Sequence, residues 1–93
     1  MTAQTTTATS IRNTLATVPG ASLKLQLEGE EGHGHYLHAY VRMPGRGGIV
    51  RGPMIPLPDG QTIEETAERA GARVLGMESW AAGRPIYAAE LIS

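Results

Sequence analysis

A chain of 93 residues with no cysteine, 41% hydrophobic residues and a formal net charge of −1 describes one small domain. Without cysteine there is no disulfide framework, zinc–thiolate site, iron–sulfur cluster or cysteine nucleophile. With 8 basic against 9 acidic side chains no net positive field draws in nucleic acid or an anionic membrane, and no stretch approaches the roughly 18 apolar residues of a spanning helix.

Residues 1–9 hold five Thr and no large hydrophobe beyond Met1, so they are expected to form a disordered tail, with a single domain over residues 10–93. This start has neither the basic nor the apolar region of a secretory signal, and cytoplasmic residence is the expectation. Ile11, Leu15 and Val18 then recur at helical spacing behind a capping Ser10 or Thr9, and Pro19-Gly20 ends that helix. Residues 22–28 alternate with period two: Leu23, Leu25 and Leu27 share one face, Lys24, Gln26 and Glu28 the other. Residues 29–35, rich in Gly, Glu and His, read as a hairpin loop longer than two residues.

The return strand spans residues 36–43. Leu37, Ala39, Val41 and Met43 form its core face, while Tyr36, His38, Tyr40 and Arg42 point away. Pro44-Gly45-Arg46-Gly47-Gly48 turns the chain into residues 49–57, a strand that Pro53 and Pro56 confine to a sheet edge. Pro58-Asp59-Gly60 is turn chemistry, and Thr62 with Glu65 forms a capping box for a second helix reaching Gly71, striped by Ile63, Ala67 and Ala70. Two further strands, residues 72–80 and 84–92, flank Ala81-Ala82-Gly83.

The order reads as two helix–strand–strand units. The expected fold is α+β: one antiparallel sheet of four to five strands with two helices on one face. Few large aliphatics and no Phe make the core thin, which favours added burial in a homodimer or partner complex.

No hydroxyl–base or metal–protease motif is present, so the chain is expected not to be an enzyme and to need no cofactor. His33, His35 and His38 beside Glu30 and Glu31 are the one cluster with metal-ligand chemistry, but period two sends His38 to the face opposite His35; no metal site is assigned, and metal binding stays an alternative. The sharper candidate is the outward row Tyr36, His38, Tyr40 and Arg42, joined by Lys24, Gln26, Arg46 and Arg51. Aromatic rings beside guanidinium groups offer rigid contact area for a protein partner. Glu28, Glu30 and Glu31 nearby make nucleic acid the less favoured partner, and no membrane is implied.

Thr62, Glu64, Glu65, Ala67, Glu68, Arg69 and Gly71, followed by Met77, Trp80, Gly83 and Arg84, resemble the core of a Cro/repressor-type helix-turn-helix over residues 62–84. That resemblance implies a DNA-binding transcriptional regulator with Arg69, Arg73 and Arg84 on phosphate. Val74-Leu75-Gly76 stands where a recognition helix carries polar base readers, so strand is the preferred reading there. Val18-Pro19-Gly20 before one strand and Gly83-Arg84-Pro85-Ile86-Tyr87 opening another resemble small PepSY-type helix–hairpin units, a group that is typically extracytoplasmic and includes protease-inhibitory segments.

The leading expectation is a small non-catalytic protein-binding module acting by surface occlusion. Seven Arg against one Lys is the usage of a GC-rich bacterial or phage genome, and a phage or mobile-element inhibitor of a host defence complex, anti-CRISPR-like, is the form that size and setting suggest.

Overall fold

The computed structural model describes residues 11–30, 34–81 and 83–92. The tail expected over residues 1–9 lies outside the described residues. Helix α1 covers residues 11–17 and is followed by β1 (Ser22–Glu30), β2 (Gly34–Arg42), β3 (Ile49–Leu57), α2 (Ile63–Arg69), β4 (Ala72–Ala81) and β5 (Arg84–Leu91). All strand pairs are antiparallel, in the order β3-β2-β1-β5-β4. The architecture is therefore α+β, a five-stranded antiparallel sheet with two helices. The halves are not equal repeats: β3 adds a third strand to the first, because residues 49–57 pair with β2 along its outer side. Pro53 and Pro56 sit on that edge strand, where a missing amide hydrogen costs no ladder bond on the solvent side.

β1 lies at the centre of the sheet, and its strict alternation sorts the two faces. Leu23 and Leu25 are buried together with Leu37, Ala39 and Val41 of β2 and Ala72 and Ala89 of the second hairpin. Ile11 of α1 and Ala67 of α2 complete this one cluster. Four of its nine members are alanine, so short side chains bring backbones close in place of large side chains filling space.

One such approach is visible at β3. His38 faces Met54 and Tyr40 faces Arg51, so Gly52 and Pro53 together oppose Ala39 in a β-bulge. A methyl group on Gly52 would stand 1.9 Å from Cδ1 of Ile11 and 2.7 Å from the Ala39 carbonyl oxygen. Glycine at the bulge thus gives α1 its seat on the sheet.

α2 begins with the expected box. The Glu65 amide donates to the Thr62 hydroxyl at 3.1 Å and the Thr62 amide donates to the Glu65 carboxylate at 3.0 Å. Hydrogen bonding of the carboxylate by the Thr62 amide first, and then by the Thr62 side chain, holds the Glu65 carboxyl below its ordinary 4.5. The helix stops at Arg69 rather than Gly71; Gly71 turns back at φ +89° and hands the chain to β4.

One expectation is corrected, and the preference for strand over a recognition helix beyond residue 71 is met. The first hairpin is tighter than residues 29–35 suggest, since pairing runs out to Glu30 opposite Gly34. Glycine does this by close approach: a methyl on Gly29 would fall 2.6 Å from the His35 ring, which lies across it. The segment resembling a helix-turn-helix holds one helix followed by the β4–β5 hairpin, so residues 72–81 are pleated where a recognition helix would stand.

Gly52→Ala is expected to lower stability by about 1–3 kcal/mol, as overpacking does. The urea midpoint checks it, and adding Ile11→Val, which removes the Cδ1 atom, should restore part of the loss.

Candidate functional site

Tyr36, His38, Tyr40 and Arg42 do stand on one face of β2, the face turned away from the leucines, because each alternates with Leu37, Ala39 and Val41. Their exposure differs from the sequence expectation. Tyr36 is half-buried and Arg42 is exposed, whereas His38 and Tyr40 retain only 7% and 9% of their surface. The reason lies in their neighbours: β2 is flanked by β1 and β3, and long side chains from these strands and from the second hairpin lie over the sheet.

Two ion pairs and one histidine–carboxylate contact organise this polar face. Lys24 of β1 reaches Glu78 of β4 across the intervening β5. Glu28 of β1 holds Arg84 of β5 at 2.8 Å with one oxygen and lies 3.1 Å from Nδ1 of His38 with the other. The His38 ring in turn sits 6.0 Å from the Tyr40 ring at a 54° tilt. These are long-range pairs: Lys24 and Glu78 are 54 residues apart in sequence, Arg84 and Glu28 56 apart.

Burial raises the Tyr40 phenol above its ordinary 10.0; Arg42 works against this and Glu78 reinforces it. The phenol therefore stays protonated through neutral pH.

The structure gathers only part of the expected row. At about 3.4 Å per residue, Tyr36 stands roughly 14 Å along the strand from Tyr40. Tyr40, Arg42 and Arg46 converge instead around a shallow hollow of about 360 Å³ at the β2–β3 corner, with Ile49 on its rim. Arg51 is the direct cross-strand neighbour of Tyr40 on the same face. The turn carrying Arg46 is fixed by the Met43 amide donating to the Gly48 carbonyl at 2.9 Å, and Gly45 and Gly48 take positive φ, +62° and +75°, to close it. Among the described residues no carboxylate comes within ion-pair distance of Arg42, Arg46 or Arg51.

Metal chemistry finds no support in this geometry. His35 is exposed on the face opposite buried His38, and His33 lies outside the described residues. Among the described residues no group of three His, Asp or Glu could hold an ion. No described helix is long and apolar enough to cross a membrane. Of the arginines that the helix-turn-helix resemblance placed on phosphate, Arg73 is paired with Glu90 at 3.0 Å and Arg84 with Glu28.

Sequence reasoning missed one surface. Leu75, Met77 and Trp80 of β4 are exposed, Trp80 at 63%. Register shifts between Val74 and Gly76 and between Met77 and Ser79 insert two extra residues, so Val74, Met77 and Trp80 lie opposite Ala89, Tyr87 and Pro85 at a spacing of three. That spacing hides a strand face from a period-two reading.

No family model, curated protein or solved structure matches the chain.

The shielded phenol has a measurable consequence. Below pH 10 the phenol is protonated in folded and unfolded chains alike and adds no pH dependence. Above it the unfolded chain ionises first, so stability falls as pH rises from 10 towards the folded-state value. Tyr40→Phe is expected to flatten this alkaline decline in chemical denaturation and to remove a step above pH 10 from the ultraviolet absorbance titration. A titration that the substitution leaves unchanged counts against the shielding.

Proposed function

We propose that this protein is a small non-catalytic binding module that recognises a protein partner through the polar sheet face, with Arg42, Arg46 and Arg51 as its contacting cations and Tyr36 as a flanking aromatic. The observation that carries this reading is the contrast in charge pairing across one face. Lys24, Arg84 and His38 have carboxylate neighbours within the chain, while the three arginines at the β2–β3 corner have none among the described residues. Unpaired guanidinium groups on a fixed sheet corner are suited to an external anion, and Arg and Tyr are the residue types enriched where protein interfaces concentrate their energy.

His38 and Tyr40 have a changed role in this reading. They form the floor under the site, held by Glu28 and by the strands on either side, and contribute order more than contact area. Occlusion of a partner's surface is the mode of action such a module supports, and an anti-CRISPR-like inhibitor of a host defence complex is one setting for it. The exposed Met77 and Trp80 of β4 are at the far end of the strand order, so self-association there would leave the arginine corner free.

Affinity capture from a bacterial lysate tests the proposal, with bound proteins quantified by mass spectrometry. Arg46→Glu lies on an exposed turn and should leave the fold intact by circular dichroism. It is expected to reduce recovery of the specific partner by about tenfold or more, the size of one interface hot spot. Tyr36→Ala should give a smaller loss. Equal recovery by wild type and Arg46→Glu overturns this face as the recognition surface.

A further inference from the structure

The chemistry of the occupant can be taken a step further, resting on the reading of the polar face given above. We propose that the hollow at the β2–β3 corner receives an acidic segment of a partner protein, its carboxylates on Arg42, Arg46 and Arg51 and an adjoining apolar side chain on Ile49.

Charge complementarity carries the assignment. Guanidinium groups present paired donors that match a carboxylate; Arg42 and Arg46 line one shallow depression, Arg51 stands across the strands from Tyr40 on its floor, and among the described residues no carboxylate is within ion-pair distance of the three. The Tyr40 phenol at the floor is protonated at neutral pH and offers a donor in place of a repelling phenolate.

The positive ground is also short. Moving from Tyr40 along the sheet, the next cation is Lys24, already on Glu78, and beyond it Glu28 carries His38 and Arg84. A nucleic-acid backbone needs a basic track that follows many phosphates, usually with exposed rings on which bases stack. Here the track ends in carboxylates after one corner, and His38 and Tyr40, the rings nearest it on β2, are buried. Ile49 pairs with Arg42 across the strands and is 49% exposed, so cation and apolar contact stand side by side, the mixture protein interfaces favour over phosphate grooves.

The test is a nuclear magnetic resonance titration of the full chain, labelled with nitrogen-15, against three probes: a blocked oligoglutamate peptide bearing a single leucine, the same peptide with every Glu replaced by Gln, and single-stranded oligothymidylate. The acidic peptide is expected to shift the amides of Gly45, Arg46, Gly48 and Ile49 saturably, with affinity that weakens as salt rises. Arg42→Gln/Arg46→Gln should weaken it by about tenfold or more, and the Gln peptide should leave these amides unmoved. Three results overturn the assignment: no shift at the corner with the acidic peptide, equal binding of the Gln peptide, or oligothymidylate saturating the same amides at tenfold lower concentration. Should the peptide fail while Arg46→Glu still abolishes partner capture, the acidic-segment assignment falls and the recognition face stands. Shifts at the corner together with unchanged capture by Arg46→Glu would instead uphold the carboxylate chemistry and remove the face from partner recognition.

Discussion

The alternation of β1 is the constraint on which the rest of the structure depends. A central strand has neighbours on both sides, so whatever it projects is shielded on either face. Its leucines are stable there without help, because apolar burial is favourable by roughly 25 cal/mol per Å². Its charged residues are not: Lys24 is almost fully covered, and a covered charge is tolerated only beside an opposite one. Glu78 supplies that partner for Lys24, while Glu28 serves Arg84 and stands beside His38. The contacts therefore tie β2, β4 and β5 to β1 through side chains, in addition to the backbone ladders. Among the described residues they pair the charge in the middle of the face and leave its unmatched cations at the β2–β3 corner.

Recognition by side chains, as opposed to strand addition, fits the edges of this sheet. An open edge is a template for pairing with another chain unless something interrupts it. β3 is interrupted by Pro53, Pro56 and the bulge at Gly52, and β4 by two bulges within ten residues. Neither edge offers a long regular run of donors and acceptors. What each offers is exposed side chains: Ile49 and Met54 on β3, and Leu75, Met77 and Trp80 on β4. The two sets are at opposite ends of the strand order, so a partner on the arginine corner and a contact on β4 need not compete.

Much of this was legible in the sequence, and what was not has identifiable physical causes. Period two in residues 22–28 and 36–43, the Thr62–Glu65 box and the edge prolines are local signals, and each acts locally in the fold. Gly29 misled because a glycine reads as a turn, whereas here it lets the His35 ring cross the strand. β4 misled because its bulges replace period two with period three, leaving Met77 and Trp80 without a recognisable face. The parity of Tyr36, His38, Tyr40 and Arg42 could be counted, but their exposure could not. That depends on Glu28, on Arg84 some 56 positions further along the chain, and on β3 closing over the other side. The candidate site accordingly moved from a row along β2 to the corner where Arg46 and Arg51 join it.

This relocation changes how the site is expected to bind. A row of exposed aromatic rings would present contact area with its own rotamer freedom to lose. In the structure His38 and Tyr40 are already covered, and the exposed side chains beside them are Arg42 at the end of β2, Arg46 on the glycine-closed turn and Arg51 on β3. Ordering each such side chain costs about 0.5–1.5 kcal/mol on association, which a charge-assisted bond to a carboxylate can offset and a neutral contact hardly can. On the proposed reading, a fixed floor with exposed cations at its rim would bind weakly to neutral surfaces and select partners by charge. On that reading the discrimination would reside in Arg42, Arg46 and Arg51, while Glu28, His38 and Tyr40 form the ordered ground beside them.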